Sequence, residues 1–327
     1  CCGAYYSNTI YVKNPGRKSM KKGLAYTLLL IACVHVPNLM DGQNNNIRFE
    51  RTFSFLYNKH VDTSEHIHTS IKPIRLREVK QYDDIMSGLD IDTESKFLNA
   101  LMNYSVTEGG DTSDVIEVRP LLNTGFTMEQ ASGQSQNLLE LSAGLNFSAY
   151  IGKKWSLNFL YLWDFSDYPS HVDALVQSRN ISPGYGYTEG DRGYYAEGNI
   201  LFTADKHFDF ELGYGKNFIG DGYRSLFLSD YAYSYPYLKI TANIWKLKYM
   251  ALYTNYSDIR GTGGSFADYF HKFSTVHYLS FNATKWWNIG FFETIMWQAQ
   301  EDDFYRGFDI NYLNPVIFLR PIEYSQG

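Results

Sequence analysis

Lys216, Asp221, Tyr223, Arg224, Asp230 and Tyr231 fall within one glycine-rich stretch, residues 213–232, with Tyr233 and Tyr235 just beyond it. Lysine and arginine at that density offer charge-assisted hydrogen bonds to carboxylates, and the tyrosines offer flat faces on which sugar rings can stack. Arg260, in a later loop, adds another cation. The same charges could instead satisfy one another, Arg224 against Asp230, and hold the loop on itself. The glycines let the backbone leave a strand and turn tightly. This is not a phosphate loop: Gly215 and Gly220 have the spacing, but Asp221 stands where lysine is required and no strand-to-helix context surrounds it.

Catalytic chemistry finds no support in the residue pattern. Ser280 and His277 are close in sequence but point to opposite faces of a strand, so they cannot form a nucleophile and base pair directly. No triad context accompanies them, and the chain is read as a non-enzyme without a cofactor. His66 and His68 occupy alternate positions, but no cysteine or carboxylate stands at a ligand spacing from them, so an extended segment is expected there and no metal site. Cysteine is confined to Cys1, Cys2 and Cys33, and a net charge of −6 gives no basic footprint for nucleic acid.

The elements that must carry the loop are long strands. From Leu139, alternate positions read Leu139, Leu141, Ala143, Leu145, Phe147, Ala149 and Ile151, against Glu140, Ser142, Gly144, Asn146 and Ser148. After a turn at Gly152 the alternation resumes with Trp155, Leu157, Phe159, Tyr161, Trp163 and Phe165 on one face. Side chains alternate across a strand, so this is a hairpin with one apolar and one polar surface. Each arm runs about ten residues or more, enough to cross a bilayer at a tilt of roughly 45°. Further arms are expected at 115–126, 196–204, 208–214, 237–243, 247–256, 273–282 and 288–298, with the face of His277 left unassigned. The turns near Lys153, Asp205, Ile244 and Lys285 are short, whereas connections 166–193, 216–236 and 257–272 are long. Unequal ends of this kind, with 28 Tyr, 22 Phe and 6 Trp in 327 residues, predict an all-β, antiparallel, transmembrane outer-membrane β-barrel with its long loops outside the cell.

The remainder of the chain is read around that barrel. Residues 1–19 are expected to be an upstream extension, and 20–43, with Lys21, Lys22 and the apolar run 24–36, a secretory signal. Leu30-Ile31-Ala32-Cys33 also has the shape of a lipidation box. Residues 44–112 form a periplasmic entry segment with a short amphipathic helix near 93–103. Residues 113–327 supply strands without a clear closing strand, so an incomplete barrel, the N-terminal part of a larger one, is expected.

The 213–232 stretch also resembles the Wzi family of capsule-assembly outer-membrane proteins, in the Bacteroidetes form that includes the gliding-motility protein RemB. The resemblance rests on Gly213-Tyr214-Gly215-Lys216, Gly220-Asp221-Gly222-Tyr223-Arg224-Ser225-Leu226, Leu228-Ser229-Asp230 and Tyr235-Pro236, on 68–73, and on Tyr312-Leu313-Asn314-Pro315. It implies a monomer in outer-membrane lipid that holds capsular or surface polysaccharide without catalysis. RemB-like contact with a surface adhesin or motility protein, and a diffusion porin, are the alternative expectations.

Overall fold

The computed structural model describes residues 46–47, 67–79, 114–131, 134–179, 181–182, 186–189, 192–258, 270–301 and 304–314. The signal segment, Cys33, His66, the helix expected near 93–103, Arg260 and Pro315 lie outside them.

A short strand, β1 (Ile71–Lys72), precedes a 3-10 turn at Leu76–Glu78. β2 (Val115–Ala131), β3 (Gln134–Ile151) and β4 (Trp155–Asp164) follow. The next connection holds one helix, α1 (Ser170–Arg179), and two short strands, β5 (Ile181–Ser182) and β6 (Gly186–Glu189). After β7 (Arg192–Thr203) and β8 (Phe208–Gly215), the glycine-rich connection opens with β9 (Phe218–Ile219). β10 (Tyr235–Ile244), β11 (Leu247–Asp258), β12 (Phe270–Thr284) and β13 (Trp287–Gln298) lead to a small hairpin, β14 (Gln300–Glu301) and β15 (Phe304–Tyr305), and a 3-10 turn at Ile310–Leu313.

The long strands form one antiparallel meander in the order β2-β3-β4-β7-β8-β10-β11-β12-β13. Among the described residues, β2 pairs only with β3, and β13 only with β12. Every long strand of the sequence reading is therefore present. Pro120 lies in β2, an end strand of this path, where a missing backbone donor is tolerated. The first hairpin is longer than the apolar alternation suggests: β2 and β3 stay in register to Ala131 and Gln134, past the last outward apolar pair. Backbone pairing continues there without a hydrophobic face to announce it. α1 was also not foreseen, and its first turn is held by Glu129 at the far end of β2, which accepts from Ser170 N (3.0 Å) and Ser170 Oγ (2.5 Å).

Register sorts the side chains into two faces. One, the open face, carries Leu122, Leu145, Phe159, Ile200, Phe210 and Leu212, all large and exposed; Leu122 is 64% and Leu212 60% accessible. Phe147 shares this face, opposite Phe159. An exposed apolar surface spread over so many strands exceeds what a monomer in water normally tolerates. Trp155, Trp245, Trp286 and Trp287 gather at the short-turn end, and Trp163, Tyr194 and Tyr214 nearer the long-loop end. No helix among the described residues is long and apolar enough to cross a membrane.

The other, covered, face carries Ser142, Asp164, Asp209, Glu211, Lys239 and Lys248, all buried. Residues 67–79 and the 216–234 connection lie against it. There Ile71, Ile219, Tyr235, Tyr237, Met250, Leu252, Val276 and Tyr278 form an apolar core. Full burial of Ile71 and Ile219 contributes about 2 kcal/mol each.

Among the described residues, one segment covers part of the open face. Over β11–β13 the 310–313 turn lies on it: the Tyr253 hydroxyl donates to the Leu313 carbonyl (2.9 Å) and Thr275 Oγ1 to that of Tyr312 (3.1 Å). Tyr312 packs against Trp297, ring centroids 4.7 Å apart. His277 belongs to this face, buried beside the Tyr249 hydroxyl at 2.5 Å, and so on the opposite side of β12 from Ser280.

Candidate functional site

The 216–234 connection is anchored from below. β9 leaves β8 and pairs antiparallel with β1, placing Ile71 opposite Ile219 and Lys72 opposite Phe218. Gly220 N donates to the Ser70 carbonyl at 2.8 Å, and Lys72 Nζ donates to the Gly220 carbonyl at 3.0 Å. Gly220 takes φ of 139°, a conformation that side chains rarely adopt. The connection then doubles back: Ile219 N donates to the Leu228 carbonyl (2.9 Å) and the Ser225 hydroxyl to the Ile219 carbonyl. Phe227 reaches over the covered face to the Phe292 ring, 4.7 Å between centroids.

This fold-back sorts the residues expected to bind. Tyr223, Arg224 and Tyr231 are exposed, with the Arg224 guanidinium 6.0 Å from the Tyr231 ring centroid. Leu226 is fully exposed beside them. Asp221 is exposed and stands 3.9 Å from Lys72 Nζ, so its charge faces the anchoring strand. Lys216 is half-buried, its ammonium 5.9 Å from the Tyr195 ring centroid. Burial lowers the Lys216 pKa, opposed by the negative charges of Glu197 and Asp230. Asp230 is half-buried and accepts from Ser229 Oγ at 3.3 Å. Arg224 and Tyr231 thus meet at the surface with Tyr223 exposed next to Arg224 in the chain, Lys216 is half-buried against Tyr195 and feels the charge of Asp230, and Arg260 lies outside the described residues.

Beneath the connection lies a buried ionic network. Glu211 accepts hydrogen bonds at Oε1 from Tyr237 OH (2.6 Å) and Asn46 Nδ2 (2.7 Å), and its Oε2 is ion-paired with Arg75 Nη2 (2.8 Å) and Lys239 Nζ (2.9 Å). Asp209, one pleat further along β8, accepts from Arg77 Nη2 at 2.6 Å and from Thr203 Oγ1 at 2.9 Å. Lys239 Nζ also donates to Asn217 Oδ1 (3.0 Å), which ties the network to the root of the connection. Lys248 Nζ donates to Glu78 at 2.7 and 2.8 Å. Burial disfavours the charge on Arg75, but Glu211 and Asp209 outweigh it and raise its pKa. Burial likewise opposes ionisation of Glu78, and Lys248 outweighs it and lowers the pKa. Both remain charged, as buried ions must when each is paired and hydrogen-bonded.

The sequence reading did not assign these residues to a site. The available signal was Asp209, Glu211, Lys239 and Lys248 at polar-face positions inside strands, and Arg75 and Arg77 two apart in an extended segment. Arg75, Arg77 and Lys248 each find their carboxylate more than 100 residues away, and local spacing carries no record of that.

His68 closes the far end of the segment. Its Nδ1 is 2.8 Å from Ser280 Oγ, both buried, and Asn282 Nδ2 donates to the Ile67 carbonyl at 3.3 Å. Histidine and serine do meet here, but through His68, and both are buried. Burial first, then the Lys248 ammonium, lowers the His68 pKa from 6.5 to about 4, with Glu78 opposing. The folded protein therefore favours the neutral ring, and its contribution to stability is complete above pH 6.5 and lost as pH falls to about 4. A shift of this size corresponds to roughly 3 kcal/mol. Urea unfolding followed against pH is expected to show this acid limb, and His68→Gln is expected to flatten it; an unchanged limb in the variant would assign it to the carboxylates.

Compared with protein-family models, curated proteins and solved structures, the chain matches none.

Proposed function

We propose that this chain forms the wall of an outer-membrane β-barrel whose 216–234 connection attaches a surface polysaccharide without catalysis. The observation that carries the reading is the division of the sheet: an apolar face exposed across many strands, backed by a face filled with buried charge. A bilayer is the solvent that makes the first face favourable, and the tryptophans and tyrosines near both strand ends suit its interfaces. The long connections then stand together at one end. There Tyr223 and Tyr231 offer stacking faces, and Arg224 offers a fork of donors suited to a sugar carboxylate. The segment 67–79 fills part of the covered face, which speaks against an open diffusion pore.

Arg224→Ala and Tyr231→Ala are each expected to reduce retention of an acidic polysaccharide about tenfold, the magnitude of one charge-assisted or stacking contact. The measurement is capsule shed into the medium by cells whose barrel assembles at normal level. Lys216→Ala is expected to act more weakly, since its ammonium is half-buried. Unchanged retention in an Arg224→Ala, Tyr231→Ala double variant would sink the binding reading and favour a protein partner for the same patch.

A further inference from the structure

We infer that residues 70–72, β1 and the residue before it, position the exposed connection, so that the N-terminal segment and the recognition loop form one mechanical unit. Within the loop, Ile219 bridges Leu228 and the Ser225 hydroxyl donates to the Ile219 carbonyl, while Phe227 packs on Phe292 of the sheet. Its turn after β9 is also held from outside, by the Ser70 carbonyl on Gly220 N and by Lys72.

Lys72 holds three features at once. Its ammonium donates to the Gly220 carbonyl at 3.0 Å, stands 3.9 Å from Asp221, and lies 5.2 Å from the Phe218 ring centroid. Gly220 is where the backbone enters φ of 139°, the conformation that turns the chain toward Tyr223 and Arg224. A lysine at this point fixes the direction of the turn rather than touching a ligand. Three residues later Arg75 enters the buried network on Glu211, and that network reaches back through Lys239 to Asn217, the residue just before β9. The loop is therefore held at its root by one branch and at its turn by the other, and both branches end on the same segment. By linkage, whatever orders the loop must order the segment to the same degree.

The inference extends the polysaccharide reading, but its test uses no polysaccharide and survives the failure of that reading. The full chain, in detergent, is digested with trypsin and cleavage is followed at the exposed Arg224 and at Lys206, in the short turn between β7 and β8. Lys72→Met is expected to speed cleavage at Arg224 about tenfold, the effect of one lost charge-assisted hydrogen bond on a local opening equilibrium. Cleavage at Lys206 is expected to stay within twofold of the parent, and Lys72→Arg is expected to restore the parent rate at Arg224. Hydrogen exchange of the peptide spanning 217–228 supplies a second readout and should rise with Lys72→Met. Unchanged cleavage and exchange, equal acceleration at Lys206, or a Lys72→Arg variant as fast as Lys72→Met would each overturn the inference.

Discussion

Replacing Arg75 with methionine is expected to destabilise the protein by about 3–5 kcal/mol, the usual consequence of removing one partner of a buried ion pair. Arg75 is 2% exposed, and its guanidinium lies 2.8 Å from a Glu211 that has no access to solvent. Lys239 would still face Glu211, and Arg77 would still face Asp209, but the guanidinium that spans both carboxylates would be gone. The buried charge would fall by one with no compensating loss of an acid. Arg75→Met with Glu211→Gln is expected to be no more stable than the single variant, since it strips the buried Lys239 ammonium of its carboxylate. Urea unfolding read by tryptophan fluorescence gives both numbers. A single variant within about 1 kcal/mol of the parent would show that the network is not closed in the way described.

Leu212→Arg separates a lipid-facing wall from a water-facing one. Leu212 is 60% exposed on the open face, beside Ile200 and Leu238 on the neighbouring strands. In water, arginine at so exposed a strand position would change stability by no more than about 0.5 kcal/mol. In the hydrocarbon of a bilayer the same substitution costs about 2–4 kcal/mol near the midplane. Folding into phospholipid vesicles, followed by denaturant titration, distinguishes the two values. An effect near zero would remove the membrane from the proposed function and leave the apolar face needing another cover, of the kind that the 310–313 turn gives β11–β13.

These two experiments probe what was differently legible in the sequence. Leu212 belongs to a period-two pattern that can be read along β8 alone, because successive side chains of a strand must point in opposite directions. The long strands, the short turns at Gly152 and Lys206, and the division into two faces all follow from that one local rule. Extensions without hydrophobic alternation, such as β2 and β3 beyond Phe126, escaped it, as did α1, whose capping partner Glu129 lies 41 residues away.

Arg75 stands on the other side of the division. The residues from Lys72 to Glu78 carry charge and little periodicity, and nothing local distinguishes an exposed arginine from one enclosed by carboxylates. The sequence by itself determined the strands, the faces and the loop rich in tyrosine and charge. Only the tertiary structure decided that Ile71 pairs with Ile219, that Arg75 meets Glu211, and that Arg224 meets Tyr231 at the surface while Lys216 is half-buried against Tyr195. Alternation is set by the geometry of a single strand, whereas the partner of a buried charge is set by which distant segments the folded sheet brings within 3 Å of it.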